Sequence, residues 1–500
     1  MFIRKGIDMS DKLLKAREYE EEKEKEIAPL MRPLFHLTPR CGWMNDPNGF
    51  SIYNGRYHIF YQYYPYDTCW GPMHWGHAVS DDLLTWEYLP CAMAPDTDVD
   101  DGGCFSGDAI ETADGKHLII YTGVKKHVDE NGRSYETQTQ CVAIGDGVNY
   151  VKSELNPVIG ADKLPESAGK RDFRDPKIWQ EDGEYHIIVG NKTLDGDGQI
   201  LEYTSKDGLD WSYKKTVIKN DRRFGIMWEC PDYFSLDGKQ VLLTSPQDML
   251  PEELEFHNGN GTLCIIGNLD EDGNFSEENC QAIDYGIDFY ATQTVVTADG
   301  RRIMVGWMQN WDTCGIRRDD FPWFGQLSIP REISVRDGRL IQNPISEIKN
   351  YYKKKISRQN VVITDSCALS SIAGRTIDMT IRLRPSQAKE MYRKFEIRFA
   401  DNGKEFSTAE YNPHDSIIKI DRKYSGSRRA IVHQRRCKVA EHGGEITLRL
   451  ILDRYSMELF INEGQQVMSM GIFSDIMAEG ISFKAIGEAV MDVTMYELGR

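Results

Sequence analysis

One pattern constrains the fold of this 500-residue chain more than any other. Five times an Asn-Gly or Asp-Gly pair stands directly before an apolar run. The copies are NGRYHIFYQ from Asn54, DGKHLIIYTG from Asp114, DGEYHIIVG from Asp182, DGKQVLLTS from Asp237 and DGRRIMVGW from Asp299. Type I′ turns need positive φ at both central residues, so each pair predicts a tight hairpin. The glycines Gly55, Gly115, Gly183, Gly238 and Gly300 recur roughly every 60 residues, which suits a unit of four short strands. Five such units predict a five-bladed β-propeller. A second recurring element, SDDLLTW from Ser80 and SKDGLDW from Ser205, reads as the outer hairpin of a unit.

The rest of the chain divides around this repeat. Residues 1–31 form an N-terminal extension whose run DKLLKAREYEEEKEKEI (11–27) has Glu and Lys at i,i+4 spacing and predicts a short solvated helix without direct chemistry. The propeller is expected over 32–344, and ISEIKNYYKKKISR marks a helical linker at 345–358. Alternating stretches such as TIDMTIRLRP, KFEIRFAD and ITLRLILDRYSMELFI then predict a β-sandwich over 359–500. The fold class is therefore all-β.

Charge and cysteine usage narrow the function. A net charge of −18 argues against nucleic acid and against an anionic membrane surface. No apolar stretch reaches the length of a membrane span. The 11 cysteines are odd in number, show no Cys-x-x-Cys pairing, and follow an N-terminus without an apolar signal core. These features predict reduced thiols and a cytoplasmic location. A homo-oligomer is compatible with the charged extension and the sandwich, and nothing specifies one.

Polar clusters stand shortly upstream of each turn. They contain Asp46; Ser106 and Asp108; Arg174 and Asp175; Glu229 and Asp232; and Asp284, Asp288 and Tyr290. If each lies on the first strand of its blade, all five converge at one end of the central channel. Several carboxylates with an Arg and many aromatic rings suit carbohydrate chemistry, because glycosidic cleavage needs one carboxyl group as proton donor and another as nucleophile or base. Asp46, Asp175 and Glu229 are the leading candidates. An Asp-Pro pair alone reads as a turn; three Pro-containing motifs in register, at Asp46, Asp175 and Glu229, argue against turns alone. Asp96, Asp98 and Asp100 resemble a calcium loop but lack the required Gly and Glu positions, and read as an acidic surface loop. His74 and His77 read as structural. No cofactor and no metal is expected.

These same segments carry a resemblance. WMNDPNG (43–49), YQYYP (61–65), WGPMHWGHAVSDDLLTW (70–86), FSGDA (105–109), FRDPK (173–177), WECPD (228–232) and DFYATQ (288–293) are similar, in order, to glycoside hydrolase family 32. LDRYSMELFINEG (452–464) resembles the sandwich motif of that family. The resemblance implies a retaining glycosidase that releases fructose from non-reducing β-D-fructofuranosyl ends of sucrose, sucrose 6-phosphate or short fructo-oligosaccharides. It implies Asp46 as nucleophile, Glu229 as acid/base and Asp175 as transition-state stabiliser. It implies Asn45, Gln62, Trp70, Phe105, Ser106, Arg174, Tyr290 and Trp307 as substrate-binding residues. Cys230, beside Glu229, reads as packing rather than chemistry. Asp108 departs from the family pattern, which often has Ser there. Two alternatives stay open: a fructosyltransferase built on the same covalent intermediate, and a non-catalytic sugar-binding propeller. Lys125, Lys126, Arg317 and Arg318 are candidate contacts for a sugar phosphate, against the reading of solvated loop charge.

Overall fold

The structure, a computed structural model, describes residues 9–316, 321–386, 390–427 and 431–500. Five antiparallel sheets surround an axis, each beginning with a strand that lines it. The inner strands are Gly42–Tyr53, Gly103–Glu111, Ala168–Glu181, Met227–Leu236 and Tyr290–Val296, and each packs beside the next around the ring. Every one of the five repeat turns joins an inner strand to the second strand of its blade. Three of them, at Asn54-Gly55, Asp182-Gly183 and Asp237-Gly238, have positive φ at both residues, as a type I′ turn requires. The other two differ from that expectation. At Asp114-Gly115 and Asp299-Gly300 only the Gly has positive φ. Both belong to a Thr-Ala-Asp-Gly loop in which the Thr hydroxyl (Thr112, Thr297) accepts from the backbone N–H four residues on. The Thr side chain supplies a turn of its own, so the tighter geometry is not needed.

The SDDLLTW and SKDGLDW segments join third to fourth strands, and Ser80 and Ser205 cap them in the same way. The ring closes where Trp323–Phe324, which follows the second strand of blade five, pairs in parallel with Gly42 and Trp43 of blade one.

Two six-stranded sheets form the C-terminal sandwich. The first runs Tyr352–Ile363, Ala489–Leu498, Ile377–Pro385, Ile446–Asp453, Ser456–Ile461, Gln466–Gly471; the second is built around Gly480–Ile486 and Lys394–Asp401. The helical reading of 345–358 applies only to a 3₁₀ turn at Ser346–Tyr351. From Tyr352 the chain is an edge strand of the sandwich, paired with the last strand. The charged face of KKKISR is the solvent side of that edge, which suits an exposed strand that must avoid pairing with other chains.

The N-terminal helix Asp11–Glu24 is capped by Ser10, whose side chain accepts from Leu13 N. It is not simply solvated. Leu13, Ala16 and Glu20 are buried against blade one. Glu20 accepts from Cys91 N at 2.7 Å and pairs with Arg40, and Arg17 Nε donates to Cys91 O at 2.9 Å. Three inward positions among fourteen, one of them a Glu, make too narrow an apolar stripe for the pattern to reveal. The acidic loop is likewise folded in: Lys152 Nζ lies 2.6 Å from both Asp96 and Asp100, while Asp98 and Asp101 stay exposed.

Propeller and sandwich share continuous apolar cores and a buried ionic seam. His36 bridges Asp453 (2.9 Å) and Glu458 (3.0 Å). Glu458 also pairs with Arg331, which reaches Asp284 at 3.0 Å, and Asp284 accepts from Ser469 Oγ at 2.7 Å. Asp288 pairs with Arg422 and accepts from Gly471 N. Asp284 and Asp288 therefore fasten the two domains together and do not enter the axial pocket. They precede the inner strand of blade five, Tyr290–Val296, rather than lying on it.

Candidate active site

Each inner strand carries an irregularity at the same depth. Its register against the second strand shifts at Met44/Pro47 and Asn48/Ser51 in blade one and at Phe105/Gly107 in blade two. In blade three the shift lies between Arg174 and Lys177, in blade four at Glu229/Asp232 and in blade five at Tyr290/Gln293. Asp175, Cys230 and Ala291 hold positive φ there (65°, 49° and 53°). A bulge breaks the strict alternation of a strand and re-aims side chains. Pro47, Pro176 and Pro231 stand at the bulges, where a missing N–H takes nothing from the ladder. Positive φ in non-glycine residues is costly and gathers at functional sites.

The bulges bring three carboxylates to one buried floor. Ser106 Oγ donates to Asp46 Oδ2 at 2.6 Å, whereas Asp46 Oδ1 has no hydrogen-bond partner among the described residues. Cys230 N donates to Asp175 Oδ2 at 3.0 Å, and Asp175 N donates to Thr122 Oγ1. The Cys230 thiol lies 3.6 Å from both Asp46 Oδ2 and Asp175 Oδ2. Its Sγ can donate to either oxygen, which is more than the packing read from the sequence; burial and then Asp46, Asp175 and Glu229 raise its pKa well above the ordinary thiol value. Glu229 Oε1 accepts from Arg174 Nε at 2.9 Å, and Glu229 Oε2 accepts from Tyr290 OH at 2.7 Å. Arg174 is held in turn by Asp172 (2.9 Å) and Gln138 (3.3 Å).

The electrostatics follow from crowding. Burial first, then the neighbouring Glu229, pushes the Asp46 carboxyl up to about 6 against the pull of the Ser106 hydroxyl. Asp175 is also raised, by burial and then Glu229, with Arg174 opposing. Burial would lower the Arg174 guanidinium, yet Glu229, Asp175 and Asp172 together raise it.

The remaining expected residues surround this floor. Asn45 Oδ1 accepts from Trp43 Nε1 at 2.8 Å. Trp43, Cys230, Tyr290, Trp307 and Phe324 form one buried cluster, with Phe105 packed on it. Trp307 is fully buried between Trp43 and Trp311. Gln62 is buried and donates to Cys104 O of blade two. Trp70 is 47% exposed and meets Phe105 edge-on, which places it at the rim. His74 and His77 are structural: His74 bonds Pro72 O and His77 bonds His58. Lys125 and Lys126 sit on the long second hairpin of blade two, while Arg317 and Arg318 lie outside the described residues. Asp108 does not join the floor. It lies deeper, 3.1 Å from Lys177 Nζ. Thr122, Gln138 and Asp172 carry no motif of their own; they contact the floor from the second and third strands of blade two and from before the blade-three motif, where no turn marks them.

The comparisons with known proteins agree over both domains. The model described as "Glycosyl hydrolases family 32 N-terminal domain" matches residues 36–344, and "Glycosyl hydrolases family 32 C terminal" matches 347–497. A sucrose-6-phosphate hydrolase of Escherichia coli is 34% identical, covering 88% of this chain and 89% of that protein. A raffinose invertase of Escherichia coli is 32% identical over 93% of this chain and 95% of its own length. A β-fructofuranosidase from Bombyx mori shares 33% identity, with a TM-score of 0.82 over 97% of this chain and 98% of that one. A variant of that enzyme was solved in complex with sucrose.

Proposed function

Because the chain belongs to glycosyl hydrolase family 32 and is a β-fructofuranosidase-type glycosidase that hydrolyses sucrose-type substrates, we propose that its axial floor works by retention, with Asp46 as nucleophile. The observation that carries this reading is the asymmetry of Asp46. Ser106 holds one carboxylate oxygen and leaves the other buried and unpartnered, free to attack C2 of a fructosyl unit. As the C2–Asp46 bond forms, the bond from C2 to the leaving oxygen breaks and Glu229 donates a proton to that oxygen. Water, giving its proton back to Glu229, then attacks C2 and releases Asp46. Arg174 and Tyr290 hold the two oxygens of Glu229 in place for both transfers. Asp175 does not react; it accepts fructose hydroxyls and stabilises the oxocarbenium-like charge.

Asn45, Gln62, Phe105, Ser106, Arg174, Tyr290 and Trp307 shape the fructose subsite, and the exposed Trp70 meets the leaving group at the rim. Sucrose, sucrose 6-phosphate and short fructo-oligosaccharides are the substrates proposed. Eleven cysteines, none of them in a disulfide, support a reducing, cytoplasmic setting. All three carboxylates stand together, which speaks against the non-catalytic reading. A comparison of kcat/KM on sucrose, sucrose 6-phosphate, kestose and inulin tests this. Turnover of the small fructosides well above inulin is expected, and inertness towards all four would overturn it.

A further inference from the structure

The five bulges repeat a tetrad. Asn45-Asp-Pro-Asn48, Phe105-Ser-Gly-Asp108, Arg174-Asp-Pro-Lys177, Glu229-Cys-Pro-Asp232 and Tyr290-Ala-Thr-Gln293 occupy the same place in successive blades. Their first two positions supply the floor described above. Their fourth positions, Asn48, Asp108, Lys177, Asp232 and Gln293, are all buried. They lie one step further along the strands, beneath the reacting groups.

Lys177 is the cation of this lower set. Its Nζ lies 3.1 Å from Asp108 Oδ2, 3.7 Å from Asp232 Oδ2, 3.2 Å from Gln293 Oε1 and 3.0 Å from Thr294 O. One ammonium group from blade three thus touches blades two, four and five. Gln293 passes the link on: its Nε2 donates to Gly107 O of blade two at 3.2 Å, across the axis. Asp232 accepts from Thr294 N (2.9 Å) and Oγ1 (2.8 Å), and that hydroxyl takes a bond from Arg302. Asp108 Oδ2 also accepts from Ile178 N, while its Oδ1 has no partner among the described residues. Asp108, Asp232 and Arg302 are the charged groups around the ammonium.

We propose that Lys177, through Asp108, Asp232 and Gln293, is a positioning residue: a cross-axis clamp that sets the spacing of the carboxylates above it. The geometry is direct. Asp175 is two residues from Lys177, Ser106 two from Asp108, and Glu229 three from Asp232. A shift at the clamp therefore moves the nucleophile's hydroxyl partner, the stabilising carboxylate and the proton donor relative to one another. Asp108, where the family resemblance leads one to expect Ser, is the counter-charge matched to this lysine. Neither group contacts substrate.

The proposal rests on the reading of Asp46, Asp175 and Glu229 as the reacting groups. Its test is a kinetic double-mutant cycle on the whole enzyme with sucrose. Lys177→Met, nearly isosteric and uncharged, is expected to lower kcat on the order of 10²-fold, the cost of a misplacement near 1 Å, with KM within about threefold. Asp108→Ser combined with Lys177→Met is expected to lose at least about tenfold less than the product of the two single losses, because it also removes Asp108, the carboxylate nearest the vacated site. Rates are referred to natively folded protein, measured by near-UV circular dichroism. A purely structural lysine would lower the amount of folded enzyme and leave kcat per folded molecule unchanged. That result, or multiplicative single losses, overturns the clamp. If Lys177→Met does not fold, Gln293→Leu removes only the cross-axis amide. It is expected to lower kcat about tenfold at constant KM, and unchanged kcat overturns the proposal. A wild type inert towards sucrose and the other fructosides sinks the functional reading and this one together. An active wild type with an indifferent Lys177→Met sinks this one alone.

Discussion

Two buried ionic clusters, the axial floor and the propeller–sandwich seam, use the same residue types in opposite electrical states. At the seam, Asp453 accepts from Leu34 N, Phe35 N, His36 N and Arg454 N and from the His36 ring. Burial is outweighed there: His36 and the backbone donors pull the Asp453 carboxyl down to about 2, and Asp453 and Glu458 lift His36 to about 9. Asp284 is the seam's exception, raised by burial although Arg331 and Ser469 oppose it. On the floor, Asp46 takes one hydroxyl, faces Glu229 and is raised to about 6. Burial is common to both places. What separates Asp453 from Asp46 is the charge of the neighbours as well as the donors: the His36 cation and several N–H groups hold Asp453 ionised, whereas Asp46 has the Ser106 hydroxyl and the Cys230 thiol and faces the Glu229 carboxylate.

The comparison can be broken at several points. Asp46→Ala and Glu229→Ala carry the largest expected effect, a loss of kcat of at least about 10³-fold with a native fold, checked by initial rates on sucrose and by circular dichroism. Wild-type-like turnover in either contradicts the assignment. Next comes the seam. Glu458→Ala leaves His36 with the carboxylate of Asp453 alone and Arg331 with that of Asp284 alone, and should cost about 3 kcal/mol in urea unfolding while kcat per folded molecule stays the same.

The pH dependence sharpens the contrast further. His36 contributes stability that is fully present below its unfolded value of 6.5 and lost as pH rises through about 9. Asp453 contributes stability present above 3.8 and lost as pH falls through about 2. The contribution of this pair is therefore constant between 3.8 and 6.5 and declines on either side, and a His36→Gln variant should show a gentler fall of the thermal midpoint on the alkaline side. Asp46 has the reverse sign. Its raised pKa means that its charge destabilises the fold above pH 6, so Asp46→Asn should gain on the order of 1–3 kcal/mol at pH 7. That gain should vanish as pH falls to 3.8. The same ionisation predicts that kcat/KM rises with pH through about 6. Trp70→Ala carries the smallest effect: an exposed rim residue should change KM for sucrose by a few-fold, about 1 kcal/mol or less, with kcat retained.

Much of this was legible in the residues. The Asn-Gly and Asp-Gly turns announced the blades because a two-residue hairpin has few chemical solutions. The Pro-containing motifs announced the floor because proline inside an inner strand is tolerated only at a bulge. Other features were hidden for equally physical reasons. The seam role of Asp284 and Asp288 depends on Arg331, Arg422 and Ser469, which lie far along the chain and come together only when the two domains dock. Glu20 is invisible as a buried residue within a run of glutamates. The lower set of Asn48, Asp108, Lys177, Asp232 and Gln293 stands in plain sight at the ends of the motifs. Aligning the three Pro-containing tetrads on the residue before Pro, and the Phe-Ser-Gly-Asp and Tyr-Ala-Thr-Gln segments with them, exposes it.

The account turns on Asp46 being the group that bonds to C2. The direct measurement uses a Glu229→Ala variant, in which the second step is slow, with a fructosyl donor whose leaving group needs no proton. After a rapid acid quench and proteolysis, mass spectrometry should find one fructosyl unit on the peptide carrying Asp46. Absence of any adduct while donor is consumed, or an adduct on the peptide carrying Asp175, would contradict it.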